Sequence, residues 1–84
     1  MITDEEAVER RVRREMYDRA VDSIARRLRM VEVYGAMGVL GNRVERLRDV
    51  AGVMARFASE LLGVSPRGVW EDARRRDGAL DAQP

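Results

Sequence analysis

The side chains in this sequence best equipped for chemistry are its arginines. They make up all sixteen basic residues, and lysine is absent. They gather at Arg10, Arg11, Arg13 and Arg14, at Arg26, Arg27 and Arg29, and at Arg43, Arg46 and Arg48. A guanidinium is a planar fork of donors that grips phosphate or carboxylate bidentately and stays protonated at any ordinary pH. Such clusters suit anion binding, to a phosphate or to an acidic partner. The plainer alternative is a solvated face on which Glu9–Arg13, Glu15–Arg19 and Asp22–Arg26 pair one helical turn apart, each worth only about 0.2–0.5 kcal/mol. Coding by GC-rich DNA also yields arginine without lysine and carries no functional meaning.

The absent residue types narrow the chemistry further. With no histidine, the commonest general base and metal ligand is missing. With no cysteine, there is no thiolate nucleophile, no thiolate metal ligand and no disulfide. With no lysine, Schiff-base chemistry and the P-loop cation are excluded. No catalytic residue, no metal ligand and no cofactor are therefore expected. Gly35, Gly38 and Gly41 recur every third residue, but no Gly-Lys-Ser/Thr follows and no strand precedes them, so they are not a phosphate cradle. Their spacing suits close packing of helix backbones, ending in a turn at Gly41-Asn42.

The elements that must carry these residues are helices. Thr3-Asp4-Glu5-Glu6 is a capping-box pattern, with three acids at the positive end of the helix dipole. Val8, Val12, Met16, Ala20, Ile24, Leu28 and Val31 then recur at helical spacing. Within 30–40 only Glu32 is charged, so a helix there is apolar all round and belongs inside an interface; a short strand is the other option, but it has nothing in this chain to pair with. A second capping box opens at Asn42 with Glu45, and Val44, Leu47, Val50, Ala51, Met54, Phe57, Ala58 and Leu61 keep the helical period, placing Phe57 in the core. Gly63 is placed to end that helix in the left-handed conformation. Ser65 caps a third helix and Pro66 takes its first position, with Val69, Trp70 and Ala73 as its apolar face; Asp77-Gly78 ends it.

The expected fold is all-α: a single helical domain over 1–78 with helices at about 4–40, 43–62 and 66–76, then a flexible tail over 79–84. Residues 4–40 as one helix run about 55 Å, against about 30 Å for 43–62. The second helix cannot shield the whole first stripe, and a second copy of the chain covers the rest in an intertwined or antiparallel homodimer. Met30, Val33, Tyr34, Met37 and Leu40 are the expected dimer interface. Fifteen acids against sixteen arginines leave a net charge of +1, which argues against a nonspecific coat for nucleic acid or membrane. No apolar run approaches the roughly 18 residues of a membrane span, and the acidic first six residues are unlike a signal peptide, so a cytoplasmic location is expected.

Residues 58–70, Ala58-Ser59-Glu60-Leu61-Leu62-Gly63-Val64-Ser65-Pro66-Arg67-Gly68-Val69-Trp70, resemble the centre of a helix-turn-helix DNA-binding unit, the likeness extending over 54–76. Ser59 matches the small residue four before the turn glycine, here Gly63; Val64 matches the apolar residue after it; Ser65 caps and Val69 anchors the second helix. The resemblance implies that Arg67, Trp70, Arg74 and Arg75 face the major groove or the phosphates. Against that stand Glu71 and Asp72 on the same helix, five acids balancing five arginines over 53–84, and Phe57, which that alignment exposes. The succession of long, medium and short helices is also similar to the intertwined all-helical chorismate mutases. Arg10, Arg27 and Gly35 follow the spacing of that family's arginines and glycine. The family places a lysine just after the glycine; here Ala36, Met37 and Gly38 stand, and only Arg43 or Arg46 offers a substitute cation. The resemblance implies a shared fold without the activity.

The reading these features favour is a small non-enzymatic helical interaction or regulatory protein acting as a homodimer, alone or with another protein. A DNA-binding transcriptional regulator is the alternative, and a chorismate-mutase-like enzyme the third. Neither membrane nor metal enters any of them.

Overall fold

The structure, a computed structural model, describes residues 3–39 and 41–81, with side chains up to Asp77 in the last helix. It consists of α1 (Asp4–Ala36), α2 (Asn42–Leu62) and α3 (Pro66–Asp81), with no strand among the described residues. All three helices contribute to one core. Tyr17, Val21, Ile24 and Ala25 of α1 meet Ala51, Ala55 and Ala58 of α2 and Val69 and Ala73 of α3, and all nine are buried. Ala20, Leu28, Met54, Leu61, Leu62, Val64 and Trp70 pack around them. Five of the nine buried residues are alanine. Alanine lets helix backbones approach closely but removes little apolar area from water, so the burial term is modest for a chain this long.

α1 begins as expected: the Thr3 hydroxyl accepts from the Glu6 amide at 3.2 Å. It stops at Ala36, four residues short of the expected 40. Gly38 sits at φ +75, the Gly38 amide donates to Gly35 O and the Val39 amide to Tyr34 O. That pair of bonds is a Schellman motif with Gly38 at C′, which stops the helix where only glycine is free of strain. The glycines at 35 and 38 have open space where a Cβ would stand, so they do not mediate close helix packing. α2 departs from its expected start as well. Asn42 is the first helical residue, Gly41 is the N-cap, and no side chain caps the helix. Gly63 does end α2 in the left-handed conformation, at φ +66. Ser65 caps α3 by accepting from the Gly68 amide at 3.1 Å. α3 then runs through Asp77-Gly78 to Asp81, longer than the expected 66–76 and into what the sequence suggested was tail. Glycine costs a helix interior only about 1 kcal/mol relative to alanine, so Gly78 alone does not terminate it.

The buried stripe of α1 is also shifted from the expected one. Tyr17, Val21 and Ile24 are inside, while Val8, Val12 and Met16 are exposed. The reason is Tyr17: α3 presents Asp72 to its hydroxyl, and the ring fills the space between the helices. Arg76 of α3 reaches back to Asp18 at 2.7 Å and Asp22 at 2.9 Å. Asp22 is therefore engaged by α3 rather than by Arg26. Of the pairs expected within α1, Glu9–Arg13 forms, at 2.5 Å.

Candidate functional site

Two of the grooves left by the packing lie on opposite sides of the α1–α2 pair. One, of ≈360 Å³, is lined by Arg27, Met30 and Tyr34 of α1 and Arg43, Arg46, Leu47 and Val50 of α2. The other, of ≈700 Å³, is lined by Leu28, Arg48 and α3's Arg67, Trp70, Glu71 and Arg74. Leu28 and Met30, like Arg48 and Val50, are two residues apart, which on a helix is a rotation of about 200°. The grooves therefore open on opposite faces, and α3 covers only one of them.

The face away from α3 carries apolar groups toward both ends of α1 and on α2, with Arg19, Ser23 and Arg26 between the two α1 groups. Nine large apolar side chains are at least 40% exposed: Val8, Val12, Met16, Met30, Val33 and Met37 along α1 and its C-cap, and Val50, Val53 and Phe57 on α2. Their spacings of three and four set each series on one side of its helix. Met30 and Val50 line the same groove, so the two series share a face. Phe57, placed in the core by helical period, is 46% exposed, because Ala55 and Ala58 occupy the buried side. No large side chain of α3 described here belongs to this exposed set.

The expected interface residues divide accordingly. Met30, Val33 and Met37 are exposed on this face, Tyr34 is half-buried in its groove, and Leu40 lies outside the described residues. The segment from 30 to 39 is thus open on this side rather than enclosed. Val8, Val12, Met16, Val50, Val53 and Phe57 join the face without having been expected there. The signal for them was present: Tyr17 and Val21 supply an alternative buried stripe one residue out of phase with Met16 and Ala20.

Three of the four candidate nucleic-acid residues come together. Arg67, Trp70 and Arg74 line the second groove, with Arg48 of α2 as an addition not foreseen. Arg67 lies 3.5 Å from Glu71 of its own helix, whereas Arg48 and Arg74 have no ion pair among the described residues. Arg75 does not join them; it is paired with Asp72 beside Tyr17. Arg10 and Arg27 line separate grooves, while Arg27, Arg43 and Arg46 share one.

Electrostatics within the chain concentrate at the α1–α3 contact. Burial, together with its hydrogen bond to Asp72, pushes the Tyr17 hydroxyl up to about 12. The same bond, with Arg75 and Arg76 nearby, holds the Asp72 carboxyl below its usual value. Burial works against the charge of Arg76, but its bonds to Asp18 and Asp22 outweigh that and raise it. The Arg14 guanidinium lies 5.6 Å from the Tyr17 ring centre, a cation–π arrangement. These groups are engaged in holding α3 to α1. No cluster of metal-ligating side chains occurs among the described residues, and no described helix is long and apolar enough to cross a membrane. Compared with protein-family models, with curated proteins and with solved structures, the chain matches none.

Proposed function

We propose that this protein is a non-catalytic helical interaction module that acts as a homodimer through the face of α1 and α2 not covered by α3. The observation that carries the reading is the distribution of exposed apolar residues: all nine lie on α1, its C-cap and α2. Scattered single apolar residues are ordinary on a surface, but nine gathered on one side of two helices, in two groups on α1 and one on α2, mark a surface that meets another protein. The alanine-rich core strengthens the case, because a chain that buries little within itself gains most by burying more against a partner. Gel filtration with light scattering tests it. The chain should elute at twice its 9.6 kDa mass, and Phe57→Glu should shift it toward the monomer while helicity is kept.

Nucleic-acid binding is a second reading with one specific support, the gathering of Arg48, Arg67, Trp70 and Arg74 around the α3 groove. Guanidinium groups beside an indole suit a phosphate backbone and its bases. Selection from random duplexes at low salt tests this reading: a short enriched site, lost on Arg48→Ala with Arg74→Ala, supports it, and no enrichment with folded protein removes it.

A further inference from the structure

The exposed series on α1 and its C-cap has a symmetry that fixes how a second copy sits. Val8 and Met37, Val12 and Val33, and Met16 and Met30 stand at matching separations from Ser23, to within one residue. We infer that two copies pair through α1 in antiparallel fashion about a two-fold axis at Ser23, with Val8 of each against Met37 of the other and Val12 against Val33. This deepens the homodimer reading above and rests on it.

An isologous contact requires that residue i meet residue j while j meets i. A stripe of arbitrary spacing would place apolar groups against charges when reversed. This one places apolar on apolar at both ends and brings Arg19 of each copy opposite Arg26 of the other beside Ser23 at the axis, where Glu15 is the acid within one turn of both.

Charge at the ends of α1 selects the same direction. The N-terminal turn of α1 carries Asp4, Glu5 and Glu6. In the antiparallel register, the positions opposite them are those of the α1–α2 turn, just before Arg43. Arg43 and Arg46 line the groove beside Met30 and Tyr34 and have no ion pair among the described residues. Glu15, also without one among the described residues, falls opposite Met30 and Val31, about one turn from Arg26 of the other copy. A parallel arrangement would instead stack acids on acids and Arg43 on Arg43, which is unfavourable.

The size is adequate. α1 runs roughly 50 Å and α2 roughly 30 Å, and each helix is about 10 Å wide, so the face measures about 800 Å² in projection, the scale of one partner's share in a stable dimer. Val50, Val53 and Phe57, sharing that face, extend the contact onto α2.

The absence of native cysteine gives a clean background for labelling. A spin label at Glu6→Cys should report an inter-chain distance of about 50 Å, twice its separation from the axis at 1.5 Å per residue. Ser23→Cys should oxidise to a disulfide-linked dimer many times faster than Arg67→Cys, on the opposite face. Sedimentation of the unlabelled chain runs alongside. A dimer with Glu6 labels within about 20 Å, the spacing of parallel neighbours, or with no preference for the Ser23 link, overturns the antiparallel pairing and leaves the homodimer standing. A monomer overturns both.

Discussion

The Tyr17 hydroxyl donates to the Asp72 carboxylate, and this one bond joins the middle of α1 to the middle of α3 across 55 residues of sequence. It sets which stripe of α1 is buried, and hence which stripe is left for a partner. Tyr17→Phe keeps the ring and removes the donor. The expected loss is about 1–2 kcal/mol, the worth of a hydrogen bond to a charged group that retains Arg75 as a second partner. Urea denaturation of the two proteins at equal concentration measures it.

The same bond gives an alkaline limit. Tyr17 titrates at about 12 in the folded chain against 10.0 for the ordinary phenol. The raised value means that folding favours the protonated form, so the contribution is complete below about pH 10 and is lost as pH climbs from about 10 to about 12. Tyr17→Phe should flatten the stability profile in that window. Thermal melts between pH 9 and 12, read by circular dichroism, decide it; equal slopes for both proteins would contradict the assignment.

Asp72 predicts the acid limb with the opposite sign. Its carboxyl is held below 3.8 by the Tyr17 bond first, then by Arg75 and Arg76. The stabilisation is complete above that value and is lost as pH falls below it. Asp72→Asn should lower stability near neutrality and reduce the further drop on acidification, which acid titration followed by fluorescence of Trp70 records.

Glycine substitutions separate three roles. Gly52 is helical with open space at its Cβ position, so Gly52→Ala should add up to about 1 kcal/mol. Gly38 is at φ +75, so Gly38→Ala should cost about 1–2 kcal/mol. Gly68 would bring a Cβ to 2.8 Å from Val64 Cγ1, so Gly68→Ala requires the Val64 side chain to shift and destabilises through crowding rather than dihedral strain. Chemical denaturation of the three variants should rank them in that order, Gly52→Ala alone above the parent.

Much of the architecture was legible because its signals are local. Thr3 and Glu6, Gly63, and Ser65 with Pro66 fix helix ends through bonds and dihedrals within a few residues. The phase of α1 was not legible. Met16-Tyr17 and Ala20-Val21 offer two adjacent stripes of similar period, and the choice depends on Asp72, far along the chain. The end of α1 was missed for a related reason: Gly35, Gly38 and Gly41 look alike in sequence, and only the bonds from Gly38 and Val39 back to Gly35 and Tyr34 single out Gly38. Phe57 followed the apolar period of α2, but the alanines beside it allow such close approach that the larger ring is left outside. Arg67, Trp70 and Arg74 were grouped by one-turn spacing on a single helix, which sequence conveys well; their neighbour Arg48 arrives from another helix, which it does not.

The central claim is that the uncovered α1–α2 face is where a second copy binds. Sedimentation equilibrium over the micromolar range, on the parent chain and on Phe57→Glu, addresses it directly. The parent should fit twice the chain mass, and the variant should dissociate at least tenfold more readily, since a carboxylate buried there lacks a partner. A parent that stays monomeric across the range, or a variant that dimerises as tightly as the parent, would contradict it.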